Sequence, residues 1–108
     1  MAEGRMPTVE EIRAVLKANV RDPEIMINVI DLGLVYDIRV DEAEKAAIID
    51  MTLTSPGCPA GPQLIHDVRY YLHQAFPELD EIRVNVVWTP MWTPDMMSQE
   101  AKEELGFY

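Results

Sequence analysis

The spacing of apolar residues changes along this chain in a way that leaves few folds open to it. Leu34, Tyr36, Ile38 and Val40 alternate with Val35, Asp37 and Arg39, the period of a strand buried on one face. Asp41 to Lys45 is a polar hairpin loop, and Ile49, Met51 and Leu53 then alternate with Ile48, Asp50, Thr52 and Thr54. After a Ser55-Pro56-Gly57 turn the period becomes helical: Ile65, Val68 and Leu72 form a stripe flanked by Leu64, Tyr71 and Ala75, and Pro77 ends it. Alternation returns at Ile82, Val84, Val86 and Trp88, with Arg83 and Asn85 outward.

A helix precedes this block. Thr8 is placed to cap it, with Glu11 three residues on as the capping-box partner. Val9, Ile12, Val15 and Leu16 follow at helical spacing, and the pattern stops near Val20, before Asp22-Pro23-Glu24, because a residue preceding proline disfavours helix. Ile25 to Ile30 is a short apolar stretch, and Asp31-Leu32-Gly33 reads as a turn. The tail from Thr89 is rich in Pro, Met and Trp, then helical around Ser98 to Leu105 with Gly106 as a stop.

These elements predict an α/β chain of two layers (α+β): helix, strand, strand, helix, strand, then an irregular C-terminal tail. The small mixed three-stranded sheet carries its helices on one face. The connection from the second strand through the helix to the third is expected to be right-handed if those strands are parallel. With 108 residues one modest core is expected: a single domain over 1–108, its core about 8–88 and its tail 89–108.

The net charge of −10 argues against nucleic acid as a partner, since phosphate binding needs clustered Lys and Arg. No stretch approaches the roughly 18 apolar residues of a membrane span, and residues 1–7 lack an apolar signal core. A lone cysteine in such a chain fits a reducing cytoplasm.

That cysteine, Cys58, lies between a strand and a helix. One thiol forms no intramolecular disulfide and cannot alone supply the roughly four ligands of a zinc or iron–sulfur site. A helix N-terminus lowers a thiol pKa from about 8.5 toward roughly 3.5–7.5, which would make Cys58 a reactive thiolate. The alternative is a small buried hydrophobe. Gly61-Pro62 adds a condition: if it delays the helix by a turn, the thiol sits ahead of the cap and the dipole effect weakens. No Lys or Arg lies between Ala46 and Val68, so no cation nearby in sequence assists.

Thr52 and Thr54 are read on one strand face, where their hydroxyls reach a thiolate or ligand; threonine also simply favours strands. Asp22 and Glu24 either ligate iron or orient Cys58, or Asp22 caps its own turn. His66 and His73 have no ligand spacing to Cys58 and read as surface or satisfied histidines. Trp88 and Trp92, in a near-repeat of Trp-Thr-Pro, pack the tail over the sheet or form a docking surface together with Met91, Met96 and Met97.

Taken together, Asp22-Pro23-Glu24, Asp31 to Tyr36, Met51 to Thr54 with Cys58-Pro59, and Trp92 to Ser98 resemble the SufT- and PaaD-like family of metal–sulfur cluster biosynthesis factors. The likeness covers about Val9 to Gly106. It implies a role in maturing iron–sulfur proteins rather than an enzyme activity, by carrying a transient cluster or iron, or as a metal-free adaptor docking apo-targets. The PaaD-like branch implies maturation of a multicomponent oxygenase. Cys58 matches the family's reactive thiol, with Asp22, Glu24, Thr52 and Thr54 around it. Partners so implied are the assembly machinery and apo iron–sulfur proteins. Because one chain offers one thiolate, the remaining ligands would come from a second chain in a homodimer, a small thiol, or a target.

Overall fold

The computed structural model describes residues 6–23, 25–54, 57 and 60–106. Helix α1 spans Val9–Asn19 and opens on the expected capping box. The Glu11 amide donates to Thr8 Oγ1 at 3.1 Å, and the Thr8 amide donates to Glu11 Oε1 at 2.8 Å. Two of the four orphan donors of the first turn are thereby satisfied. Ile12 and Leu16 face the core, and Val20 closes the helix.

Strands β1 (Val35–Asp41) and β2 (Ala46–Met51) form an antiparallel hairpin. Helix α2 (Gly61–Ala75) crosses over to β3 (Glu81–Val86), which runs parallel to β2, so β2 is central in the order β1-β2-β3. The registers stack the side chains in rows. Ile38, Ile49 and Val84 form one inward row and Val40, Ala47 and Ile82 the next, packed beneath α1 and α2. The tail carries a short 3-10 turn, Pro94–Met96, and α3 (Gln99–Leu105), which stops at Gly106 in the left-handed conformation. Its Met97 and Ala101 are buried in the same core.

Three local expectations are corrected. The buried row of α2 is Gly61, Leu64, Val68 and Leu72, whereas Ile65 is only half-buried; Val68 and Leu72 lie inside as the spacing predicts, but Leu64 rather than Ile65 completes their row. Regular helix begins at Gly61 with Pro62 in the first turn, where a missing N–H costs nothing, so the helix is not delayed. Strand β2 ends at Met51, after which Met51, Thr52 and Leu53 are all buried. Leu53 turns beneath α2, and a Cβ on Gly61 would lie 2.8 Å from Leu53 Cδ1. The alternation that placed Thr52 and Thr54 on one strand face is broken there.

The outward rows of the sheet are polar and cross-linked. Arg39 reaches Asp50 through both terminal nitrogens, at 2.8 and 3.3 Å, and Asp37 at 2.6 Å; Asn85 adds a bond to Asp50 at 3.0 Å. The Arg39 hydrogen bonds, then that of Asn85, hold the Asp50 carboxyl below its usual pKa. A carboxyl depressed in the folded state stabilises above its unfolded value of about 3.9 and loses that contribution as pH falls through the folded value. We therefore expect Asp50→Asn to lower the urea midpoint slightly at pH 7 and to leave it unchanged relative to wild type near pH 2. A deficit that persisted undiminished near pH 2 would show that packing, not charge, is the cause.

Candidate functional site at one end of the sheet

A run of backbone hydrogen bonds gathers distant segments at the end of the sheet where β1 begins and β2 and β3 finish. The Val29 amide donates to Val20 O at 3.0 Å, Leu34 to Val29 O at 3.0 Å, and Thr52 to Leu34 O at 2.7 Å. On the other side Val87 donates to Met51 O at 2.8 Å. The Asp22 turn, the 28–33 turn, the exit of β2 and the exit of β3 are thereby fixed beside one another. Thr54 and Ala60 are the described residues that flank 55–59, of which Gly57 alone is described.

Asp22 is only 1% exposed. One carboxylate oxygen accepts from the Ile25 amide at 3.2 Å, and the Asp22 backbone closes the turn to Ile27 and Met26 at 3.0 and 2.7 Å. The self-capping reading of this aspartate is thus realised, in a position that also borders the sheet end. Thr52 is fully buried, its hydroxyl 3.5 Å from Leu53 O, and Thr54 is half-buried at the point where the chain departs. Glu24 and Cys58, both singled out in the sequence, lie outside the described residues. Helix α2 starts without a side-chain cap or an acidic residue in its first turn. A helix start of this kind carries the positive end of the helix dipole, a setting that favours an anion.

The tail crosses the same end. Trp92 Nε1 donates to Leu32 O at 2.6 Å, Ser98 N to Asp31 O at 2.7 Å, and the Tyr36 hydroxyl to Pro90 O at 2.7 Å. Trp92, half-buried, thereby anchors the tail to the 30–36 segment. Trp88 lies beyond the end of β3 and is 38% exposed, and Met91 is 60% exposed. Tyr36 and Gly33 were not singled out as tail contacts. Tyr36 falls where the β1 register shifts between Val35 and Asp37, a bulge that re-aims its side chain. Gly33 admits the backbone of Met96 against it. A glycine at a turn was visible in the sequence; what it faces was not.

His66 and His73 are exposed on α2, with His66 stacked on Tyr70 at 6.2 Å. Among the described residues, no three His, Cys, Asp or Glu side chains gather to hold a metal ion, and no helix is long and apolar enough to cross a membrane.

This two-layer fold is that of an iron–sulfur assembly domain. The family of iron–sulfur cluster assembly proteins matches residues 9–86, and the chain belongs to it. It is 52% identical over 85 residues to the Fe-S protein maturation auxiliary factor SufT of Staphylococcus aureus, covering 79% of this chain and 94% of that one. It is 41% identical over 102 residues to an Fe-S protein maturation auxiliary factor of Porphyromonas gingivalis, covering 94% of each. The crystal structure of a domain of unknown function, DUF59, from Bacillus anthracis is similar with a TM-score of 0.85, at 45% identity over 92% of both chains.

Proposed function

We propose that this chain is a maturation factor that holds an iron–sulfur cluster, or iron, as cargo through the Cys58 thiolate and passes it to apo-proteins in the cytoplasm, without an enzymatic turnover of its own. The observation that carries this reading is the convergence at one sheet end: the Asp22 turn, Thr52 and the tail are tied together where β2 finishes, and in sequence the only cysteine follows shortly after Thr54, ahead of the uncapped start of α2. The naming of relatives as Fe-S protein maturation auxiliary factors supports the same role. Helix geometry favours the thiolate form. Thr54, the less buried of the two threonines, is the better candidate to hydrogen-bond a bound sulfur, and Glu24 stands with Asp22 as an orienting carboxylate. One thiolate per chain leaves a cluster short of its roughly four ligands. The rest come from a second chain, a small thiol, or the client's own cysteines, and an incomplete ligand set suits release.

Trp88 and Met91 favour a second reading. Their exposure beside the same sheet end suits an adaptor that docks apo-targets and carries no metal. Anaerobic reconstitution with ferrous iron and sulfide separates the two. The carrier reading expects iron and a charge-transfer absorbance in wild type, with at least tenfold less iron retained by Cys58→Ser. No iron in either protein would remove the carrier and leave the adaptor.

A further inference from the structure

We infer that the groove between α3 and the 21–31 turn is the interface of a two-fold homodimer, in which the basic side of one chain meets the acidic helix of the other. Two copies that each carry −10 repel, and an interface between them is least opposed where basic side chains gather. Three of the nine Lys and Arg lie on one line: Arg13 and Lys17 one turn apart on α1, and Arg21 just past its end. Lys17 touches Asp31 at 3.8 Å, on the rim of this groove. Among the described residues Arg13 and Arg21 take part in no ion pair.

The opposite wall is acidic. Glu100 and Glu104 of α3 line the groove across from Arg21, and Glu103 lies on the same helix. A basic strip beside an acidic strip on one face is the pattern that a two-fold axis makes self-complementary, each strip meeting its opposite on the second copy. Apolar surface lies there as well. Met26, also lining the groove, is 63% exposed on a left-handed backbone (φ 68°) held by its amide bond to Asp22 O at 2.7 Å. A non-glycine residue in that region is uncommon, and here it thrusts a methionine outward. Leu105, next to Glu104, is 38% exposed. Such exposed apolar groups rimmed by charges are what an interface buries.

The inference names the second chain that the carrier reading calls on, and rests on that reading only for the dimer's purpose. Because the Asp22 turn borders both the groove and the sheet end, the dimer brings two site ends toward one another. Sedimentation equilibrium of the full chain tests it, with circular dichroism confirming that the exposed-site variants stay folded. Wild type is expected to dimerise below about 0.5 mM, with Arg21→Glu and Glu104→Arg each weakening association at least about tenfold. The double reversal should recover most of the loss, since it restores opposite charges across the axis. A wild type that stays monomeric, a dimer indifferent to both single reversals, or a double reversal that recovers nothing would each overturn the interface. Iron content measured on the same samples separates the two claims. A monomer that takes up iron leaves the carrier and removes the dimer; a dimer that takes up none does the reverse.

Discussion

Gly33→Ala is expected to lower stability sharply and to release the tail. Gly33 sits at φ +78°, and a Cβ there would lie 2.3 Å from the carbonyl oxygen of Met96. The left-handed backbone alone costs an alanine about 1–3 kcal/mol. The clash is with main chain, which no rotamer change relieves, so the Pro94–Met96 turn must move away. With it go the Trp92 bond to Leu32 and the burial of Met97. A melting temperature lower by roughly 10 °C or more follows for a domain of this size. Tryptophan emission should shift to the red as Trp92 enters water. Gly57→Ala is the control, since Gly57 has no positive φ and nothing within 4 Å of its would-be Cβ. Equal stability and unchanged emission in Gly33→Ala would mean that the tail does not rest on this turn.

The second large effect lies in α2. Leu64 is fully buried, in the row that faces the sheet. Leu64→Ala removes that contact and leaves a cavity, at a cost of about 2–5 kcal/mol. Ile65, half-buried one position on, should cost clearly less when cut to alanine, about 1 kcal/mol. Denaturant midpoints of the two variants decide which stripe is inside. If Ile65→Ala were the more damaging, the first turn of the helix would present Ile65 rather than Leu64 to the core, as apolar spacing alone suggests. Because Leu64 is one turn into the helix, its loss also loosens the N-terminus from which the Cys58 segment enters.

The order of elements was legible because each has a clear period and a clear stop. Thr8 and Glu11 announce α1, Pro77 follows the end of α2, and Gly106 ends α3, all through local chemistry that the chain carries in sequence. Tertiary choices were not legible in the same way. Ile65 and Leu64 are equally apolar, and only the direction from which the sheet meets α2 separates them. Thr52 to Thr54 continue a strand-like alternation, but the need to seat Leu53 under Gly61 ends the strand earlier. At the site, Asp22 was recognisable as a turn aspartate, whereas its near-complete burial depends on the 25–29 segment folding back over it. The assignment of Trp92 as an internal anchor rests on the carbonyl of Leu32, sixty residues away. Nothing local to the tail encodes that distance.

The crossing of the tail over the sheet end has a kinetic consequence. The tail is held at Leu32, Asp31 and Tyr36, so Trp88 and Met91 are fixed at the end of the sheet where β2 and β3 finish rather than swinging on a free tether. Any protein that grips those two side chains is thereby confined near that end of the sheet at an effective concentration in the millimolar range. A second contact made under such confinement can be individually feeble and still form nearly every time. It can then break quickly, so that neither contact has to be strong for the pair to form.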